Sequence, residues 1–112
     1  MAVHCDEYPG VTVITVNGDL CAPEANAVRD TLARTGDRGT IVFDLERCRF
    51  LSSQGLEALL QAHGHCQAHG ARALLAGLDS NCRKILEITR LDTRFECHAH
   101  LAEALKVTTN NQ

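Results

Sequence analysis

Apolar and polar residues alternate with a period of two along the first sixteen residues of the chain. Val3 and Cys5 alternate with polar neighbours, and the same period continues through residues 11–16. This alternation is typical of half-buried strands. The Pro9-Gly10 pair between the two segments is typical of a tight turn. The pattern therefore predicts an antiparallel hairpin at the start of the chain.

After the hairpin, segments with helical spacing alternate with short β-branched or apolar runs. The first predicted helix begins at Pro23, the second has Ser52 or Ser53 as its N-cap, the third has Asp79 or Ser80, and the fourth begins near Leu101. Gly36 and Gly70 end the first two. The predicted strands cover residues 40–45, 71–76 and 94–97. Because strands joined through helices pair in parallel by right-handed crossovers, the sequence predicts an α/β fold. It has a small, mostly parallel mixed sheet, an N-terminal antiparallel hairpin and about four flanking helices.

Apolar positions at helical spacing identify the inward face of each predicted helix. These positions are Ala25, Val28 and Leu32; Leu56, Leu59, Leu60, His63 and Cys66; Cys82, Ile85, Leu86 and Thr89; and Leu101, Ala104 and Leu105. The second helix carries a polar opposite face, formed by Glu57, Gln61, His65 and His69. With no linker in between, residues 1–112 are expected to form one domain, in which 1–106 fold and 107–112 are a frayed tail.

Composition and charge exclude several functions. The chain has 112 residues, 45% of them hydrophobic, with a net charge of −3 and scattered basic residues, so nucleic acid is not an expected partner. The absence of Trp and the single Tyr leave no aromatic platform for stacking bases. No apolar run is long enough for a membrane helix and no signal peptide pattern opens the chain, so we expect a cytoplasmic protein without membrane insertion.

Six cysteines and six histidines raise the question of metal or thiol chemistry. No CxxC pair is present, and free thiols are expected in a reducing cytosol. Cys5, Cys66, Cys82 and Cys97 fall on inward stripes, where a thiol behaves as a small apolar residue. His65 and His69 lie on the solvent face without a third ligand, which makes a zinc site geometrically poor. We therefore expect no metal, no cofactor and no enzymatic activity.

The turn over residues 50–56, called the serine turn below, is the remaining candidate for a functional site. It follows a buried strand and opens the best-defined helix, so it lies at the carboxyl edge of the sheet, where α/β folds place ligand and partner sites. Exposed N–H groups and the helix dipole also favour a phosphate there. Alternatively, Ser52 and Ser53 only cap the helix.

Sequence blocks along nearly the whole chain resemble one family. The blocks are Asn17-Gly18-Asp19-Leu20, Val42-Phe43-Asp44-Leu45, Cys48-Arg49-Phe50-Leu51-Ser52-Ser53-Gln54-Gly55-Leu56, Gly70 before a Leu-Leu strand, and Leu101-Ala102-Glu103-Ala104-Leu105. In this order and spacing they resemble the STAS domain, and in particular free-standing bacterial anti-sigma factor antagonists.

This resemblance implies a protein that binds an anti-sigma factor, often a serine kinase with a histidine-kinase-like ATPase fold, and so releases a sigma factor. Phosphorylation of a serine at the start of the central helix would end the interaction. The family pattern places the acceptor at Ser53, with Ser52 as the alternative. The implied partner-binding residues are Asp19, Leu20, Cys21, Ser52, Ser53, Gln54, Gly55 and Glu57. The expected oligomeric state is a monomer or a weak dimer.

The chain departs from the family pattern at two acidic positions. Ser52 stands where an Asp usually precedes the acceptor, and Cys21 stands where an acid often follows the Gly-Glu-Leu stretch of the family. Cys21 is expected to be exposed beside the docking face, which motivates a hypothesis of redox control there. The missing acids also favour an alternative function, a STAS subunit of a membrane lipid-transport ATPase complex that acts as a constitutive structural partner.

Overall fold

The computed structural model describes residues 2–35 and 39–109, which form a mixed five-stranded sheet and four helices. The elements are β1 (Val3–Tyr8), β2 (Val11–Val16), α1 (Ala22–Thr35), β3 (Thr40–Asp44), α2 (Ser53–Ala68), β4 (Ala73–Ala76), α3 (Ser80–Ile88), β5 (Glu96–His98) and α4 (Leu101–Thr109). The strand order is β1-β2-β3-β4-β5; β1 is antiparallel to β2, and all other neighbours are parallel. The predicted α/β class and sheet arrangement are confirmed.

The N-terminal hairpin has the register that its turn imposes. Val3 pairs with Val16 and Tyr8 pairs with Val11, so only Pro9 and Gly10 remain in the turn. Gly10 has a φ of +80°, a conformation that favours glycine. Its carbonyl oxygen accepts from the N–H of Thr40 at 3.1 Å, so the turn also supports the start of β3.

The two faces of the sheet pack against different helices. In β3, Phe43 belongs to the larger apolar cluster, which includes buried residues of α1, α2 and α3, whereas Val42 belongs to a smaller cluster with Ala104 of α4. Neighbouring residues separate in this way because strand side chains alternate between faces. β3 is therefore buried on both sides, as its continuous apolar run predicts.

Most predicted inward positions of the helices are confirmed, but one is wrong. Ala25, Val28, Leu59 and Cys66 are buried. Thr89, predicted to continue the apolar stripe of α3, is instead exposed at the C-cap of that helix. Its hydroxyl donates to the carbonyl oxygen of Ile85 at 2.7 Å, so the side chain satisfies an open helix end instead of filling the core.

The short strands begin later than predicted. The segment predicted as residues 71–76 forms a strand only over Ala73–Ala76, and the segment predicted as 94–97 forms one over Glu96–His98. Ala71 lies before β4, where its N–H donates to the carbonyl oxygen of Cys66 at 2.8 Å. The backbone N–H of Ala71 is therefore engaged in the C-terminal hydrogen bonding of α2 and does not pair with a neighbouring strand.

Cys97 is exposed, and its prediction as an inward residue is wrong. It lies in β5, a three-residue strand at the edge of the sheet. Cys5, in the opposite edge strand, is only partly buried. Both results follow from edge position, because a strand with one neighbour is covered less than a central strand. Cys66 and Cys82 are buried, as predicted, and Cys48 is buried as well.

The C-terminal helix is longer than the sequence pattern indicates. α4 continues to Thr109, although a frayed tail is predicted from residue 107. The predicted helix end at Gly36 and the last three residues, 110–112, lie outside the described residues. Over residues 2–35 and 39–109, no helix combines the length and apolar character needed to cross a bilayer.

Candidate functional site

Two connections that leave the carboxyl edge of the sheet are joined to each other. Leu20, in the β2–α1 connection, forms an isolated parallel bridge with Leu51, in the β3–α2 connection. The N–H of Leu20 donates to the carbonyl oxygen of Phe50 at 2.9 Å, and the N–H of Ser52 donates to the carbonyl oxygen of Leu20 at 3.0 Å. Both leucine side chains are buried. The bridge therefore fixes the position at which α2 begins.

Ser52 is the N-cap of α2. The sequence alone allows either Ser52 or Ser53 in this position. Its hydroxyl oxygen accepts from the N–H of Gly55 at 3.1 Å, as N-cap serines do. The same hydroxyl donates to the carbonyl oxygen of Leu20 at 3.2 Å. A single side chain thus satisfies the first turn of the helix and links it to the neighbouring connection.

Gly55 permits the close approach of α2 to Leu20. A β-carbon at this position would overlap the carbonyl oxygen of Leu20 and would lie 2.9 Å from its Cγ. Because Gly55 has ordinary helical geometry, the requirement is one of space and not of backbone conformation. The glycine is therefore part of the framework of the site and is buried within it.

Ser53 is the first residue of α2 and is exposed. Its hydroxyl donates to Oε1 of the neighbouring Gln54 at 3.3 Å, an interaction on the surface of the protein. Gln54 and Glu57 are exposed as well, and Glu57 lies 3.6 Å from the guanidinium of Arg29. The start of α2 thus presents a hydroxyl, an amide and a carboxylate to solvent.

The segment from Asp19 to Cys21 contributes both surface and framework. Asp19 is exposed and Leu20 is buried. Cys21, expected to be exposed, is only partly so, and its N–H donates to Oε1 of Glu24 at 3.1 Å in the first turn of α1. This capping interaction holds the Cys21 backbone against the helix. The predicted site residues therefore lie in one region, where some are accessible and others support them.

Phe50 belongs to the same region and is absent from the predicted partner-binding residues. Its side chain is 47% exposed, although large apolar side chains are usually buried. Its carbonyl oxygen accepts a hydrogen bond from the N–H of Leu20, which fixes the backbone of Phe50. The ring faces solvent. The available signal is weak, because two apolar residues, Phe50 and Leu51, lie between the charged segment 46–49 and Ser52, and the sequence does not tell which of them is exposed.

The described residues contain no group of three or more His, Cys, Asp or Glu side chains arranged to hold a metal ion. The rings of His65 and His69 have centroids 4.6 Å apart on the exposed face of α2. These two histidines lie away from the serine turn along the helix, so the candidate site rests on hydroxyl, amide, carboxylate and apolar groups.

Residues 2–104 match the family model of the STAS domain. The chain belongs to the STAS domain family. The predicted resemblance is confirmed at this level, and the match includes both connections that form the site. These two connections are the region that the sequence of this chain predicts as its functional site.

Solved structures share the fold over most of the chain. The anti-sigma factor antagonist SpoIIAA in its unphosphorylated form has a TM-score of 0.85 and 21% identity, with 99% of each chain covered. Bacillus SpoIIAA in its phosphorylated form has a TM-score of 0.75 and 22% identity, covering 94% of this chain and 97% of that one. A sulfate transporter family protein from Wolinella succinogenes has a TM-score of 0.83 and 18% identity, covering 90% and 86%. At these identities the likeness shows the fold.

Proposed function

We propose that this STAS domain is an anti-sigma factor antagonist, which binds an anti-sigma factor and thereby releases a sigma factor. Its docking surface consists of the exposed residues Asp19, Phe50, Ser53, Gln54 and Glu57, together with partly buried Cys21. Leu20, Ser52 and Gly55 hold this surface in shape. The role requires a rigid face for one protein partner and no catalytic group, which agrees with the mixture of apolar, polar and charged groups at the surface.

The difference between Ser52 and Ser53 is the observation that carries this proposal. The Ser52 hydroxyl is engaged with the N–H of Gly55 and the carbonyl oxygen of Leu20. The Ser53 hydroxyl is exposed, where a kinase can reach it without disturbing the cap. We therefore assign Ser53, and not Ser52, as the acceptor of a phosphoryl group.

Phosphorylation of Ser53 would act on the complex more than on the free protein. A phosphoserine carries a charge of about −1.5 to −2 near neutral pH. At the first position of α2, the helix dipole and the N-terminal N–H groups favour this charge. A partner that covers the serine turn would have to remove water from the dianion, beside the carboxylate of Glu57 one helical turn away. The modification therefore weakens docking while the fold persists.

The structural comparisons support this proposal. SpoIIAA, an anti-sigma factor antagonist, has been solved in unphosphorylated and phosphorylated forms, and both share the fold of this chain. A STAS domain of this size thus accommodates a phosphoryl group. The proposed partner is an anti-sigma factor that is itself a serine kinase with a histidine-kinase-like ATPase fold, and the proposed location is the cytoplasm.

Affinity capture with matched variants tests the proposal. Wild-type protein, Ser53→Ala, Ser53→Glu and Ser80→Glu are immobilised, and bound proteins from a lysate of the source organism are identified by mass spectrometry. Ser80 is also exposed and is also the first residue of its helix, after the N-cap Asp79, so Ser80→Glu reproduces the charge at a helix start outside the proposed docking residues. We expect an ATPase-fold anti-sigma factor on every protein except Ser53→Glu.

The captured partner then allows a direct test of the modification. Incubation of wild-type protein with this partner and Mg-ATP should phosphorylate Ser53, and the Ser53→Ala variant should remain unmodified although Ser52 is intact. Phosphorylation at Ser52 would contradict the assignment. Equal capture of the anti-sigma factor by Ser53→Glu and wild type would contradict regulation by charge at this turn.

One observation favours a second function, a subunit of a membrane lipid-transport ATPase complex. Ser52 occupies the position where the family usually has an Asp, and its hydroxyl serves the internal structure of the turn. Such a turn also suits a constitutive partner without phosphorylation. In the same capture experiment, recovery of a transport ATPase or permease with equal yield on all four proteins would support this function and exclude the first.

A further inference from the structure

Two buried cysteines lie against each other beneath the docking surface. Cys48 is in the β3–α2 connection and Cys82 is the third residue of α3, and both are 0% exposed. The Cys82 thiol donates to the carbonyl oxygen of Cys48, with Sγ and O 3.4 Å apart. The Cys48 thiol in turn donates to the carbonyl oxygen of Phe50, with Sγ and O 3.3 Å apart. The side chain of Cys82 therefore packs directly against Cys48, a residue 34 positions away in the sequence.

The environments of the two thiols differ. Interaction with the Cys82 side chain lowers the pKa of the Cys48 thiol, and backbone hydrogen bonds with Phe50 and Leu20 act in the same direction, against the effect of burial. Interaction with the Cys48 side chain, followed by burial, raises the pKa of the Cys82 thiol. Cys48 is therefore the sulfur that ionises first. A thiolate is the nucleophilic form of cysteine, and a thiol at its side can complete a disulfide.

We propose that Cys48 and Cys82 form a redox-active pair that a hydroperoxide oxidises to a reversible intramolecular disulfide. In the first step the Cys48 thiolate attacks one oxygen of the hydroperoxide, the O–O bond breaks, and a sulfenic acid and hydroxide (or alkoxide) are produced. In the second step the Cys82 sulfur attacks the Cys48 sulfur, and the sulfenic oxygen leaves as water with the Cys82 proton. With hydrogen peroxide, two thiols and one peroxide thus give one disulfide and two waters.

Access to the pair depends on the β3–α2 connection. Both sulfur atoms are fully covered, so the oxidant reaches them only when this connection opens locally. The connection lies outside the strands, and one turn hydrogen bond, from the N–H of Cys48 to the carbonyl oxygen of Leu45 at 3.0 Å, helps to close it. Oxidation is therefore slow in the native protein and is limited by this opening.

The disulfide would act on the framework of the docking surface. The carbonyl oxygen of Phe50 accepts from the Cys48 thiol at 3.3 Å and from the N–H of Leu20 at 2.9 Å. Oxidation removes the thiol donor and ties the connection covalently to α3. The N–H groups of Leu20 and Ser52, which join the two connections, should then exchange with solvent more slowly. This inference stands independently of the identity of the partner.

Peptide mapping of the oxidised wild-type protein tests the proposal. The protein is treated with hydrogen peroxide, remaining thiols are alkylated, and a tryptic digest is analysed without reductant. Cleavage after Arg47, Arg49, Arg72 and Arg83 releases Cys48 in residues 48–49 and Cys82 in residues 73–83. We expect these two peptides joined, with a mass two hydrogens below their sum, and separated again after dithiothreitol. Oxidised protein should also unfold at a higher urea concentration than reduced protein.

Other cysteines provide the controls. Cys21→Ser and Cys97→Ser should form the linked peptide as the wild type does, whereas Cys48→Ala and Cys82→Ala should not, and their urea midpoints should not rise on oxidation. The mapping needs only wild-type protein, so instability of the buried variants does not affect it. Linkage of Cys48 or Cys82 to a different cysteine, or no linkage after a treatment long enough to oxidise buried Cys66 as well, would overturn the proposal.

Discussion

The carbonyl oxygen of Leu20 occupies the space that a β-carbon on Gly55 would need. These residues come from separate connections, and their contact brings the Asp19 to Cys21 segment to the first turn of α2. The bond from the Ser52 N–H to the same carbonyl oxygen reinforces the contact. The geometry of the proposed docking surface therefore depends on a glycine that a partner need not touch.

Gly55→Ala should destabilise the protein by about 1–3 kcal/mol, because the added methyl group displaces Leu20 in a well-packed region. Gly64→Ala is the matched control in the same helix, since a β-carbon there meets nothing within 4 Å. It should stabilise by about 0.5–1 kcal/mol, the usual difference between Gly and Ala inside a helix. Urea unfolding measures both. Equal effects of the two substitutions would contradict the close approach at Gly55.

Ser52→Ala and Ser53→Ala should differ in stability although the residues are neighbours. Loss of the N-cap at Ser52 costs about 1 kcal/mol, with a range of about 0.5–2 kcal/mol. Exposed Ser53 makes no bond to the framework, so its replacement should change the free energy of unfolding by less than about 0.5 kcal/mol. Thermal or urea unfolding checks the difference. A larger loss for Ser53→Ala would mean that Ser53 is the structural cap.

Ser53→Glu should leave the fold intact and slightly more stable. A carboxylate in the first turn of an exposed helix gains about 0.3–1 kcal/mol from the helix dipole at low salt. Ser80→Glu, in the first turn of α3, should behave similarly, because the physical cause is the same. Unfolding curves at low and high salt measure both gains, which should shrink as salt screens the dipole. If Ser53→Glu is folded, a loss of partner binding by this variant can be attributed to the change in the docking surface. Unfolding of this variant would contradict the exposed placement of Ser53.

Stability should fall at alkaline pH in the presence of a reductant, and Cys66 should contribute to the fall. Burial raises the pKa of this thiol above its ordinary value of 9.0. As pH rises from about 8.5, the unfolded chain loses the proton while the folded chain keeps it, so the contribution is complete below this range and is lost as pH approaches the folded pKa. Partial burial acts in the same direction on Cys5.

Comparison with Cys66→Ala isolates this thiol, because all other titrating groups are shared. The urea midpoint of the wild type should decrease more than that of Cys66→Ala between about pH 7.5 and about pH 10. Cys66→Ala is expected to be less stable at every pH, since it leaves space in the core, but its pH dependence should be shallower. Parallel curves for the two proteins would show that Cys66 does not contribute.

Local sequence patterns predicted most elements, and their errors have common physical causes. The hairpin and the start of α2 follow from Pro9-Gly10 and from the serine cap, where one or two residues determine the local backbone. The strand pattern around Cys97 fails because alternation does not report how far an edge strand is covered. Thr89 fails because a β-branched residue at helical spacing can cap a helix as readily as it can pack.

The candidate site was only partly predictable for a different reason. The family resemblance identified Ser53 and Gly55, but the bridge between Leu20 and Leu51 joins residues 31 apart, a distance that local periodicity cannot report. The exposure of Phe50 likewise depends on what the folded chain leaves uncovered. The contact of Cys48 with Cys82 could not be predicted for the same reason, because in the sequence each cysteine alone indicates only a small apolar side chain in the core.

The strand order of the sheet bears on how the chain is built. Each strand pairs with the strand that precedes or follows it in the sequence, from β1 to β5 without interruption. Such pairings join residues that are closer in the sequence than they would be if the strand order skipped an element, which favours faster folding than in topologies with more distant partners. During synthesis from the N-terminus, every new strand finds its neighbour already in place. The sheet can therefore grow in the direction of translation, and α4, made last, closes its second face.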